Sequence, residues 1–276
     1  MASAALAPVC VSVVVPPGRR RQVAVCVLNM WAYLAAYELP HDDPEHLEAR
    51  VRMDYPIAAD RILGLGVSPT VRLQHTFSRP GQINRFERVL VWCHWIWFMV
   101  PHASVAYVLA RRSERFPAAA ARMYATFDLG AVFYWAVPTA PPWYAAQQGR
   151  LHPGGGPPVR RMMIEYGEQF WGGRWSDLYD VLGGNPLAAM PSLHFATSLM
   201  GAHLLAEAGP VAGAVGFTYT GLLGLALVYL GEHYAADLLG GAVLAESVRW
   251  AAPRAVAPAR GWLRVINGLG ARASGG

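Results

Sequence analysis

Two short motifs hold the residues whose types and spacing suit catalysis. Met190-Pro191-Ser192-Leu193-His194 opens one apolar segment, and Gly231-Glu232-His233-Tyr234-Ala235-Ala236-Asp237 follows the next. His194 and His233 stand 39 residues apart. One bilayer crossing takes about 20 residues for a hydrocarbon layer of roughly 30 Å. The chain between the histidines is therefore long enough to cross and return, and both imidazoles are expected at one membrane face. His233 and Asp237 are spaced i,i+4, which on a helix gives them a shared face where the carboxylate can hold the ring.

These residue types fit hydrolysis or transfer of a phosphomonoester or phosphodiester with no metal or other cofactor. Such a reaction needs a nucleophile, an acid for the leaving oxygen and donors to the charged oxygens. His233 with Asp237 supplies an oriented imidazole, the carboxylate fixing its tautomer and stabilising it as a cation. His194 sits where it can protonate a departing alkoxide. Ser192, near a helix start, can offer its hydroxyl to a phosphate oxygen, and the free N–H groups of that helix end add donors. Each has a plainer reading too. Ser192 after Pro191 is a good helix N-cap, and a lone His or His–Asp pair is often an interfacial or surface contact. The combination is what points to phosphoryl transfer.

The elements that must position these residues are apolar helices. Hydrophobic residues make up 54% of the chain and charged ones 15%, against about 25% charged in soluble domains. The pattern predicts an all-α, polytopic membrane protein with about six transmembrane helices. The expected spans are 22–39, 89–110, 121–137, 193–208, 211–230 and 234–251. The expected organisation is a cytoplasmic segment 1–21, a first span with a long interfacial loop over 22–88, a catalytic membrane domain 89–252 and a tail 253–276. Gly213, Gly216, Gly221 and Gly224 in the fifth span either allow close helix contact or reflect sequence bias.

Arginine placement orients the spans. Arg19–Arg21, the short loop with Arg111, Arg112 and Arg115, and the tail with Arg254, Arg260 and Arg264 fall on one side, which the positive-inside rule makes cytoplasmic. Both histidine motifs then face outward. The loop 40–88 runs against this with seven arginines, but it is long enough to weaken the rule. It has a helix-like stretch at 45–52 and then turn residues, as if lying along the membrane. The second outer segment, 138–191, opens with Pro138-Thr139-Ala140-Pro141-Pro142-Trp143.

All basic residues are arginine, consistent with a GC-rich coding bias or with phosphate binding. The net charge of +5 is spread over many loops, which excludes a nucleic-acid partner. Cys10, Cys26 and Cys93 are odd in number and lack CxxC spacing, so core packing is expected of them. His94 and Asp128 fall inside spans, where ionisable groups are functional candidates, and Asp128 reads equally well as pairing with a neighbouring helix. The run His41-Asp42-Asp43-Pro44-Glu45-His46 reads as a solvated loop before a metal site. Glu165, Glu168, Asp177 and Asp180 either bind a head group or keep the outer loop wet.

Pro191-Ser192-Leu193-His194 and His233-Tyr234-Ala235-Ala236-Asp237 resemble the second and third signatures of the type 2 phosphatidic acid phosphatase superfamily. Ser-Leu-His in place of Ser-Gly-His, with Pro138-Thr139-Ala140-Pro141-Pro142-Trp143, resembles the branch related to fungal inositol phosphorylceramide synthase. The resemblance covers about residues 85–250. It implies a six-helix fold with a phosphatidic-acid-phosphatase-like bundle core, an outward active site and a membrane lipid phosphate as substrate. It also implies that His233 attacks phosphorus to form a phosphohistidine, Asp237 orients it, His194 is the acid and Ser192 binds phosphate. The acceptor is water in a phosphatase and a polyol such as inositol in a transferase. The chain departs from the family pattern at Leu227, where an arginine is usual. The nearest match to the first signature, Lys-x6-Arg-Pro, is Arg72-x6-Arg79-Pro80. Arg160, Arg161 and Arg174 are rival phosphate ligands. The alternatives to catalysis are a transporter or assembly partner that kept the fold, and a heme or quinone protein using His94, His102 and His203.

Overall fold

The computed structural model describes residues 2–38, 43–151, 159–177 and 185–274. Among these the architecture is helical, with isolated β-bridges and no strand. Helices stand at each of the six expected segments: α2 (Arg19–Glu38), the pair α6 (Arg85–Trp95) and α7 (Met99–Arg111), α8 (Phe116–Ala136), α11 (Leu193–Ala208), α12 (Pro210–Tyr229) and α13 (Ala235–Ser274). Shorter helices fill the outer segments: α3 (Pro44–Arg50), α4 (Asp54–Leu63), α5 (Pro69–Phe77), α9 (Pro142–Gln147) and α10 (Met162–Trp171). Helix α1 (Ala2–Val14) was not expected, and α13 continues to Ser274, well past the end foreseen near Ala251.

The second expected span is not one straight helix. It breaks at Ile96–Phe98, and α6 and α7 meet at 59°. Pro101 explains the position of the break. It has no N–H to give the carbonyl of Trp97, four residues back, and its ring crowds that carbonyl. The chain tightens there into a turn of 3₁₀ type, with Trp97 N–H bonded to His94 O at 3.0 Å.

Helix α11 is the centre of the bundle. It packs against α7, α8, α12 and α13, and Leu193, Ala196, Met200 and Leu204 join the largest core cluster. Small residues allow α12 to come close. A Cβ on Gly213 would lie 2.7 Å from Ala206 Cα, and one on Gly216 would lie 2.8 Å from Ala202 Cα. These two glycines therefore serve packing, whereas Gly221 has nothing within 4 Å. At the far end of α11, Glu207 is held bidentately by Arg122 at 2.6 and 2.7 Å, and its backbone carbonyl accepts from Arg115.

Among the described residues one helix, Pro210–Tyr229, is by itself long and apolar enough to cross a membrane, and the bent pair α6–α7 passes as a second. The outer surface of the bundle is apolar, with Trp31, Leu129, Val132, Phe133, Val215, Val243 and Trp250 exposed.

The outer segments are woven together by Thr139, which is fully buried. Bridges join Arg52 to Thr139 and Thr139 to Ala188, so the Pro138–Trp143 stretch lies between the first outer segment and the approach to Ser192. Asp43 caps α3 by accepting from His46 N–H at 3.1 Å. That accounts for part of the acidic run 41–46, whose His41 and Asp42 lie outside the described residues.

Candidate active site

His194 is the second residue of α11, and its position is set by what precedes it. Ser192 is the N-cap, its hydroxyl accepting Phe195 N–H at 3.3 Å, so the plain capping reading of Ser192 holds. In accepting, that hydroxyl keeps its own hydrogen for another partner. Tyr134 of α8 clamps the same corner, donating to Pro191 O at 2.8 Å and accepting from Leu193 N–H at 3.2 Å. Ser192 N–H reaches Asp237 O at 3.0 Å, which ties the starts of α11 and α13 together.

Asp237 is fully buried and in the first turn of α13. Its Oδ2 accepts Tyr234 N–H at 2.9 Å and lies 3.3 Å from His233 Nδ1. With the carboxylate on Nδ1–H, His233 Nε2 is left with its lone pair, and that atom lies 3.1 Å from His194 Nδ1. The three side chains form a line: carboxylate, buried imidazole, second imidazole.

The turn that carries His233 is fixed from several directions. Glu232 and His233 N–H both point to Leu227 O, at 3.1 and 3.0 Å. Gly231 has φ +81°, and a Cβ there would come within 2.6 Å of Val159 Cγ1, so a side chain is doubly disfavoured. Gln74 of α5 donates to Tyr229 O at 2.8 Å and to Arg160 O at 3.0 Å, and accepts Arg160 N–H at 2.8 Å. Asp60 of α4, fully buried, accepts Ala235 N–H at 2.8 Å and the Ser68 hydroxyl at 2.5 Å. Glu87, also buried, closes a capping box with Asn84 and accepts the Tyr229 hydroxyl at 2.8 Å. The sequence reading missed Asp60, Gln74 and Glu87. Nothing in the local spacing of Asp60 and Gln74 marks their ties to the His233 turn, and the Asn84-x-x-Glu87 spacing marks a helix start but not the distant bond to Tyr229.

The arginines separate clearly. Arg160, expected as a phosphate ligand, is bound instead to Glu165 and to the carbonyls of Arg79 and Gln82. Arg72 is exposed and donates to Gly64 O at 2.5 Å. Arg79 is exposed beside a cavity of about 270 Å³ that Phe77, Gln82, Asn84 and Glu87 also line. Arg174 is exposed on the short 3₁₀ turn Gly172–Arg174. Arg161 differs, because its guanidinium lies 3.6 Å from the centre of the Trp143 ring. Trp143 in turn bonds by its backbone N–H to Gly231 O at 3.2 Å, next to Glu232. Burial pushes the Glu232 carboxyl above its ordinary 4.5, while the nearby Arg161 and His233 side chains oppose the rise. Arg161 is thus near the turn that carries His233.

Leu227, where an arginine is usual in the resembled family, is fully buried and packs with Cys93 and Leu223. Asp128 pairs with Asn29 of the neighbouring α2 at 3.2 and 3.3 Å, as one of its two readings foresaw. His203 bonds to Glu246 at 2.6 Å and His102 to Phe98 O at 2.8 Å, whereas His94 stacks on His194 with ring centres 4.8 Å apart. The three are engaged separately, and the heme or quinone reading loses its set of ligands. Of the acidic residues in the second outer loop, Glu165 is paired with Arg160, Glu168 and Asp177 are exposed, and Asp180 lies outside the described residues.

Fold and site together define an all-helical protein that gathers two imidazoles and a buried carboxylate at one end of its central helix. The chain belongs to the PAP2 superfamily: a sequence model of that superfamily matches residues 57–250. Members are generally phosphatases and typically membrane-associated, so membership points to lipid phosphoesterase activity of the phosphatase type. The match takes in Asp60 and Gln74, upstream of the stretch that the motifs alone indicated. Searches of curated proteins and of solved structures found no match.

Proposed function

We propose that this protein is an integral membrane phosphoesterase or phosphotransferase that works on a lipid phosphate through a phosphohistidine. The observation that carries the reading is the His194 Nδ1–His233 Nε2 approach of 3.1 Å, backed by Asp237 on Nδ1 of His233. His233 Nε2 attacks phosphorus as the ester O–P bond breaks. His194, protonated, gives its proton to the leaving oxygen, and Asp237 stabilises the ring that has become cationic. Ser192, the N-terminal N–H groups of α11 and Arg161 hold the phosphate oxygens. Arg161 takes the part that Leu227 cannot play. Arg72, Arg79, Arg160 and Arg174 are left out of the site.

Water or a polyol then takes the phosphoryl group from His233. The Ser-Leu-His signature and the Pro138–Trp143 stretch resemble the inositol phosphorylceramide synthase branch, in which a polyol would be the acceptor, and hydrolysis would use the same intermediate. Six spans, with the histidines outward, suit the fold. Glu207 and its arginines lie about 20 Å along α11 from His194 at 1.5 Å per residue, so the basic cluster and the imidazoles occupy opposite ends of the bundle.

The test is product analysis. Purified protein in detergent is given a panel of lipid phosphates, with and without inositol or glycerol. Free phosphate establishes hydrolysis, and a phosphorylated polyol establishes transfer. A complete lack of turnover across the panel, with protein that is folded, goes against the reading and favours a non-catalytic membrane protein.

A further inference from the structure

His194 is held by two rings that the proposed chemistry has not used. The His94 ring stacks on it with centres 4.8 Å apart and planes at 28°. The Trp97 ring lies closer, with centres 4.0 Å apart and planes at 43°. His94 is in the last turn of α6 and Trp97 in the break that follows it. Trp97 N–H bonds to His94 O there, and in a turn of this kind side chains three residues apart eclipse each other at about 6 Å along the axis. That is nearly the gap needed to seat one further ring. Trp97 is also pinned to α11 itself: its indole N–H donates to Thr197 Oγ1 at 3.1 Å, and that hydroxyl donates to Leu193 O at 2.7 Å. Thr197 is one turn along α11 from His194, so the anchor sets the indole over the imidazole.

We infer that Trp97 is a positioning residue for His194, fixing its ring and favouring its protonated form, with His94 packed against the same imidazole. An indole face within about 6 Å of a cation attracts it, and tryptophan is the best of the aromatic residues at this. The inference rests on the reading of His194 as the acid. In that step the proton leaves His194 for the departing oxygen as the O–P bond breaks and phosphorus bonds to His233 Nε2. The indole therefore matters most when the leaving oxygen needs that proton.

The experiment compares wild type with Trp97→Leu, Trp97→Phe and Thr197→Val on two substrates, a short-chain phosphatidic acid and p-nitrophenyl phosphate. Trp97→Leu is expected to lower kcat on the lipid by about 2- to 30-fold. On the activated aryl ester it should change kcat less than about 2-fold, because that leaving group needs little protonation. KM should hold on both. Trp97→Phe should recover part of the loss, and Thr197→Val should show the same substrate dependence in weaker form. Equal losses on both substrates, or a loss carried by KM, would overturn the inference.

A second measurement does not depend on turnover. The His194 Hε1 proton resonance, assigned with His194→Gln, should lie upfield in wild type and move back in Trp97→Leu. A resonance that does not move overturns the contact. If wild type turns over neither substrate while the resonance moves as expected, the phosphatase reading fails and the ring contact stands.

Discussion

The carboxylate of Asp60 accepts the backbone N–H of Ala235 at 2.8 Å, joining the first outer segment to the start of the helix that carries Asp237. The two residues are 175 positions apart. Asp60 thus does the work of an N-cap from a distant part of the chain, and its charge also suits the positive end of the helix.

Asp60→Ala should therefore cost about 1–3 kcal/mol of stability, since it strands Ala235 N–H and the Ser68 hydroxyl in a buried place. Activity should fall with it, because the His233 turn loses its tie. Asp60→Asn, which can still accept one bond, should lie between. Thermal unfolding in detergent reads the stability, and a midpoint equal to wild type in Asp60→Ala would contradict the account.

Arg161 and Arg160 are neighbours with different work. Arg161→Lys should lower kcat/KM by about 10- to 100-fold, as lysine lacks the planar fork and a charged hydrogen bond contributes about 1.5–3 kcal/mol. Arg160→Lys should act mainly on stability, through loss of its bonds to Glu165 and the Arg79 and Gln82 carbonyls. Kinetics and unfolding on both variants test this. Equal kinetic losses would remove Arg161 from the phosphate site.

Most of the site was legible, and the limits have physical causes. The motif histidines were found because 39 residues fit two helices and because i,i+4 spacing needs only local geometry. The kink at Ile96–Phe98 was not read: Pro101 marks its place, but an apolar run from 89 to 110 masks a break when only its hydropathy is followed. The ties of Asp60, Gln74 and Glu87 to the His233 turn could not be read. The Asn84–Glu87 capping box is local, but the bonds to Ala235, Tyr229 and Arg160 reach 86 to 175 positions along the chain, and only the folded arrangement brings them together. The arginines could not be sorted by sequence for the opposite reason: the Arg72-x6-Arg79-Pro80 spacing is cheap in a chain whose basic residues are all arginine.

Glu232 should make stability depend on pH. Burial raises its carboxyl above the ordinary 4.5 in the folded state, so the folded chain holds this proton more tightly than the unfolded one. Stability from this group is full below about pH 4.5 and is lost as pH rises through the folded value. Glu232→Gln keeps the size of the side chain and has no charge to bury. Its stability relative to wild type should therefore grow as pH is raised above 4.5. Unfolding midpoints for the two proteins across pH 4–8 (a window set by roughly where carboxyls titrate) check this, and a constant difference would contradict it.

The central claim is the bond between His233 and phosphorus, and trapping it is the most direct measurement. Protein is mixed with a radiolabelled lipid phosphate, quenched in alkali within the first turnovers and digested. The account predicts an acid-labile, alkali-stable label on the peptide that contains His233, absent from His233→Ala, which should also lose turnover while staying folded in membranes. A label that persists in His233→Ala, or full turnover by that variant, would contradict it.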